Sequence, residues 1–234
     1  MSPNPIFVAL DTPDLQRALT LSRAVKDHVG GLKVGLEFYS ACGPDGVRRI
    51  VELGLPVFVD VKFHDIPNTV AAASRELARL GAKIFNIHAS GGEVMMREAL
   101  AAARAVDSKV KVIGVTVLTS IDDSLLSAVG QRGPAADQVL RLAQLARHAG
   151  LDGVVCSAHE IAGIRNACGP DFLLAVPGIR PAGADLADQR RVMTPAQAHA
   201  AGADILVIGR PITGASDPAA AARAIAAELS GTMV

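Results

Sequence analysis

No charge of either sign predominates in this chain. Its 23 Lys and Arg balance 23 Asp and Glu, for a formal net charge of zero, and no basic cluster stands out, which argues against a nucleic-acid footprint or an electrostatic membrane surface. Long apolar runs are missing as well: no segment reaches the roughly 18 residues a membrane helix needs. The start, MSPNPIFVAL, has neither the basic opening nor the long apolar stretch and small-residue cleavage site of a secretion signal. A cytoplasmic protein is expected. Cysteine is scarce; Cys42, Cys156 and Cys168 are odd in number and lack CxxC spacing, which fits reduced structural thiols rather than disulfides or a zinc knot. No Gly-x-Gly-x-x-Gly accompanies Gly91-Gly92, so that pair reads as a helix entry rather than a dinucleotide loop. Ser157 and His159 lack a matching acid and a Gly-x-Ser-x-Gly elbow, which removes a hydrolase triad. His64 and His88 form no defined ligand set for a metal. A small-molecule partner remains.

What is present is a soluble, half-apolar composition with about one-fifth charged residues over 234 positions, enough for one large domain spanning residues 1–234. Short β-rich apolar runs recur at 6–10, 32–35, 57–61, 84–87, 112–117, 153–156, 172–176 and 205–208. Helix-like stretches lie between and after them, at 14–28, 44–53, 67–80, 93–106, 135–149, 160–168, 195–201 and 218–229. Several helices end in glycine, which accepts the left-handed conformation that turns the chain into the next strand. Eight such βα units with doubly buried strands, no linker and no edge strand predict an α/β fold, a (β/α)8 TIM barrel.

The active site of such a barrel lies at the C-terminal strand ends. Those positions carry Asp11, the segment 60–69, His88, Thr119-Ser120, Ser157, Arg180 and Gly209-Arg210, with Lys33 inside the second strand. Polar chemistry collects there, whereas the strand interiors read as apolar.

Asp60 and Lys62 are two apart, so on a strand they point to the same side, with Asp65 three residues further on. Such an array keeps an ammonium charged and fixed as the proton donor of a carboxylate-lined pocket; Lys33 on the neighbouring strand could extend the alternation of charge. The same spacing also suits a buried ion-pair network that only satisfies itself. A second constellation has phosphate character: Gly209 and Arg210 after the eighth strand, and Arg180 after the seventh, stand where barrels often hold phosphate, unless these are ordinary surface arginines. The stretch 182–193 reads as a loop that could close over a ligand with Gln189.

Taken together, residues 60–69 (DVKFHDIPNT), Asp11, Lys33, Leu118-Thr-Ser120, Val176-Pro-Gly-Ile-Arg-Pro181 and Val207-Ile-Gly-Arg-Pro-Ile212 resemble the orotidine 5'-monophosphate decarboxylase family, in order and over nearly the whole chain. The resemblance implies decarboxylation of orotidylate to uridylate in pyrimidine synthesis, without metal or cofactor. It makes Lys62 the proton donor to pyrimidine C6 and sets Asp60 beside the departing carboxylate, with Lys33 linking the charges and reaching the ribose. Asp11 would bind ribose hydroxyls, Thr119 the pyrimidine side, and Arg180, Gln189, Gly209 and Arg210 the phosphate. It further implies a homodimer in which Asp65, Ile66 and Thr69 are offered to the neighbouring subunit's substrate.

Two other readings compete. A sugar-phosphate branch of the same superfamily shares the D-x-K-x-x-D element but uses Mg²⁺, with an acidic ligand on the second strand where this chain has Lys33; a cation there repels a divalent metal. A non-catalytic barrel binding a phosphate ligand would need Arg210 and the glycine turns, but not the Asp-Lys-Asp array.

Overall fold

The computed structural model of the protein describes residues 4–181 and 193–231. In chain order its elements are β1 (Ile6–Ala9), α1 (Leu15–Val25), β2 (Gly31–Gly35), α2 (Leu36–Val51), β3 (Val57–Phe63), α3 (Pro67–Arg79), β4 (Ile84–His88), α4 (Gly92–Arg104), β5 (Lys111–Val115), α5 (Asp123–Ala128), α6 (Ala135–His148), β6 (Gly153–Val155), α7 (Ile161–Cys168), β7 (Leu173–Val176), α8 (Pro195–Ala200), β8 (Ile205–Ile208), α9 (Arg210–Thr213) and α10 (Pro218–Leu229). All strands pair in parallel in sequence order and β8 closes on β1, so the sheet is the expected (β/α)8 barrel.

Strand alternation separates two cores. Outward residues such as Ile6 and Val8 of β1 join the large apolar layer between the strands and the surrounding helices. Inward residues Phe7, Phe58, Ile84, Ile113, Leu173 and Ile205 fill the lower barrel interior. Each large side chain fully buried this way contributes roughly 1.5–3 kcal/mol. The filling relies on complementary sizes: a Cβ on Gly31 would stand 2.3 Å from the Phe7 ring, so glycine on β2 makes room for phenylalanine on β1.

Three helical segments differ from the sequence reading. α2 starts at Leu36 rather than at 44, because a helical segment precedes a kink at Gly43 (φ 60, ψ −165), after which Pro44 opens the expected stretch. Prolines suit a first helical turn, where their missing N–H is not needed. The short α5 and α9 offer too little periodic pattern to stand out in sequence.

Charge is not confined to the C-terminal end. Asp152, just before β6, accepts the Val112 N–H at 2.9 Å and pairs with Arg104 at 2.8 Å and Lys111 at 2.9 Å. Asp204, before β8, accepts the Leu174 N–H at 2.7 Å and pairs with Arg165. These carboxylates terminate the ladder of the adjacent strand and are satisfied by their own partners. A cavity of about 280 Å³ beside Lys111, Asp152, Cys168 and Leu173 belongs to this end. Cys156 and Cys168 are buried and Cys42 partly so, all as free thiols; burial pushes the Cys156 thiol up, as suits a small apolar filler. Among the described residues no helix is long and apolar enough to cross a membrane.

Candidate active site

The inward columns of the barrel change character from bottom to top. On β3 the residues sharing Phe58's side are Asp60 and Lys62; on β4 those sharing Ile84's side are Asn86 and His88; on β2 the position level with Phe58 is Lys33. Period-two geometry therefore carries an apolar floor directly into a charged mouth.

At that mouth Lys33 Nζ lies 2.9 Å from Asp11 Oδ1 and 3.4 Å from Asp60 Oδ2. Lys62 Nζ lies 2.5 Å from Asp60 Oδ1. Asp11, Lys33, Asp60 and Lys62 thus form one alternating chain of charges across three consecutive strands. Gly35 leaves space for it, since a Cβ there would come within 3.1 Å of Lys33 Nζ and 3.3 Å of Asp11 Oδ1. The side chains of Lys33 and Asp60 are only 8% and 15% exposed, so this pairing acts in a medium that screens poorly. Burial pushes the Asp60 carboxyl up, but the fields of Lys33 and Lys62, with hydrogen bonds from Lys62 and Asn86, outweigh it and hold the group below the usual carboxylate range.

Lys62 is backbone-strained. Its φ of 53 is the only positive value on a non-glycine among the described residues, a conformation costing about 1–2 kcal/mol. The β3–β4 register shifts around it, between Val59 and Phe63. The ring of His88 stacks obliquely on His64 with centroids 5.4 Å apart. Burial first, then the fields of His64 and Lys62, push His88 below the ordinary imidazole value and so favour its neutral form. Among the described residues no group of three or more His, Cys, Asp or Glu is placed to hold a metal ion.

The other anticipated residues are placed as follows. Thr119 is exposed in the turn after β5, and Arg210 opens α9, also exposed, directly after Gly209. Arg180 is largely buried; its Nη1 donates to the Ile179 carbonyl at 2.9 Å and its N–H to the Met193 carbonyl at 3.1 Å. Gln189 and positions 182–192 lie outside the described residues. Asp65 does not join the array within one chain: its carboxylate accepts the Ile66 N–H at 2.6 Å, and among the described residues it makes no ion pair with Lys62. Ile66 and Thr69 are exposed beside it at the start of α3.

Asn86 was missed. It is completely buried, donates through Nδ2 to Asp60 Oδ1 at 2.7 Å and accepts the Lys62 N–H through Oδ1 at 2.8 Å. Its signal in the sequence is an amide within the otherwise apolar run Ile84-Phe-Asn-Ile-His88, two positions from both Ile84 and His88. A buried amide in a barrel strand needs partners.

Residues 4–225 match the family described as orotidine 5'-phosphate decarboxylase / HUMPS. An orotidine 5'-phosphate decarboxylase of Paramagnetospirillum magneticum is 53% identical over 231 residues, covering 97% of this chain and 98% of the relative. One from Moorella thermoacetica is 55% identical over 230 residues, 96% of this chain and 91% of that one. The crystal structure of orotidine 5'-phosphate decarboxylase from Lactobacillus acidophilus superposes with a TM-score of 0.86 at 39% identity, covering 97% of this chain and 99% of that chain.

Proposed function

The chain belongs to the orotidine 5'-phosphate decarboxylase / HUMPS family, and from that membership we propose a mechanism, a set of roles and an assembly for its site. The reaction is the conversion of orotidine 5'-phosphate to uridine 5'-phosphate and CO2, a carbon–carbon lyase step of pyrimidine biosynthesis.

The observation that carries the mechanism is the Lys62 ammonium held 2.5 Å from an ionised Asp60 at the barrel mouth. When the C6–carboxylate bond breaks, its electron pair stays on C6 in the ring plane, where the ring π-system cannot spread it, and CO2 departs. A cation fixed beside C6 stabilises that charge. Lys62 then gives C6 a proton, which leaves the amine neutral until solvent restores it. Asp60, fixed next to the substrate carboxylate, raises the energy of the bound ground state. Lys33 bridges Asp60 to Asp11 and turns toward the ribose. Thr119 faces the pyrimidine, while Gly209, Arg210, Arg180 and Gln189 take the phosphate, whose remote binding energy helps organise the pocket.

Neither metal nor organic cofactor is part of this reading. Lys33 supports that view against the Mg²⁺-using branch, because its own cation occupies the space between the Asp11 and Asp60 carboxylates. A non-catalytic binder would have no use for the strained Lys62.

The assembly proposed is a homodimer of single-domain barrels, working in the cytoplasm, with Asp65, Ile66 and Thr69 reaching the neighbour's substrate. Leu36, Ile66, Val94 and Leu118 follow β2, β3, β4 and β5 respectively and are 54%, 68%, 61% and 37% exposed. Four large apolar side chains on one flank of the mouth suit burial against a second copy.

Purified protein with orotidylate in excess EDTA tests the reaction, followed by the loss of substrate ultraviolet absorbance. Rapid conversion that falls at least about a thousandfold in Lys62→Ala is expected. An absence of turnover in folded wild-type protein, or full activity in the variant, overturns the reading.

A further inference from the structure

We propose that Asn86 is a positioning residue for the decarboxylation, holding Lys62 and Asp60 in their working relation across a break in the β3–β4 ladder; the inference rests on the decarboxylase reading above. Four residue steps on β3, from Val59 to Phe63, face only two on β4, from Phe85 to Ile87. Lys62 lies in the excess, with left-handed backbone, so the regular ladder has no carbonyl to offer its N–H. Asn86 Oδ1 supplies the acceptor at 2.8 Å. The same amide donates at 2.7 Å to Asp60 Oδ1, the oxygen that receives Lys62 Nζ.

One side chain on β4 thereby ties the backbone of the proton donor to the carboxylate that orients its ammonium. The amide orientation is dictated by its partners, because a backbone N–H only donates and a carboxylate only accepts. Asparagine suits the position because one short side chain carries both a donor and an acceptor. A hydroxyl cannot span both partners, leucine fills the space but satisfies neither, and aspartate sets a second negative charge against Asp60. Asn86 is fully buried, so its truncation leaves a buried donor and a buried acceptor without the amide. Asp60 is faced by Lys33 from β2, itself held by Asp11 after β1, and by Lys62 from β3, with His88 of β4 and His64 beside Lys62. Asn86 is the member of that shell that does not titrate; it orients Asp60 and favours its charged form.

The test compares wild type with Asn86→Ala, alone and in an Asp60→Asn background, using orotidylate turnover and uridylate binding. Wild-type conversion comes first; its failure would remove the decarboxylase reading itself, whereas the remaining outcomes bear on Asn86 alone. Asn86→Ala is expected to lower kcat about 30- to 300-fold while KM and uridylate affinity change by less than about threefold. The acid limb of the kcat/KM profile should move to higher pH, because Asp60 loses a donor that favours its charged form. In the Asp60→Asn background the same change should cost clearly less than in wild type, since only the tie to the Lys62 N–H is then left to lose. A purely structural asparagine would instead lower Tm and leave kcat per folded molecule in both backgrounds, and the acid limb, in place; that result overturns the proposal. If Asn86→Ala does not fold, Asn86→Ser carries the test: its hydroxyl can serve one partner but not both, so a partial kcat loss with a shifted acid limb is expected, and wild-type values overturn the proposal.

Discussion

Lys62 Nζ and Asp60 Oδ1 are 2.5 Å apart although the two residues sit on one strand, two positions from each other. Same-side neighbours on a regular strand stand side by side; here the left-handed backbone at Lys62 and the shifted β3–β4 register accompany the close contact. The strand ends in charges at the barrel mouth, and each of them has a partner.

Replacing Asp60 by Asn keeps the shape and removes the charge. Turnover should fall at least about a hundredfold, read by steady-state kinetics. Stability should fall too, by about 1–3 kcal/mol in denaturant melts, since Lys33 keeps only the exposed Asp11 as ion-pair partner. Asp60's folded value is lowered from 3.8, so its ionised form stabilises the fold above that pH. The difference in Tm between wild type and variant should therefore narrow as pH falls below 3.8 and through the lower folded value.

His88 titrates with the opposite charge change. Its folded value is lowered from 6.5, so the unfolded chain binds the extra proton more readily in the interval below 6.5. Wild-type stability should be full above pH 6.5 and decline as pH falls below it. His88→Gln should lack this component, and thermal melts between pH 7.5 and 5 separate the two.

Mixed dimers test the shared site. Lys62→Ala and Asp65→Ala proteins should each be nearly inactive alone. Random exchange of subunits makes half the dimers hybrid, with one intact site of two, so activity should return to about a quarter of wild type. Persistent inactivity after confirmed exchange counts against a composite site. Ile66→Glu, at the exposed apolar flank, should shift sedimentation toward monomer and lower activity in parallel.

Gly153→Ala tests the barrel wall away from the chemistry. A Cβ there would sit 2.0 Å from the Leu173 carbonyl oxygen on β7, and backbone cannot yield as a side-chain tip does. A loss of about 1–3 kcal/mol or more is expected in chemical denaturation.

The linear pattern alone determined the barrel, because eight apolar runs bounded by glycine-terminated helices leave few other ways to bury both faces of every strand. It also determined the Asp60 and Lys62 pair, whose spacing of two needs only strand geometry to share a face. Tertiary structure decided what depends on register between strands. It placed Lys33 between Asp11 and Asp60, turned the Asp65 carboxylate to the Ile66 N–H instead of Lys62, and brought Asn86, 24 positions on from Lys62, to its backbone. It also showed that the charges of Asp152 and Asp204 at the far end satisfy themselves. Periodicity tells which way a side chain points along its own strand, but the level at which it meets a neighbour is set by closure of the whole sheet.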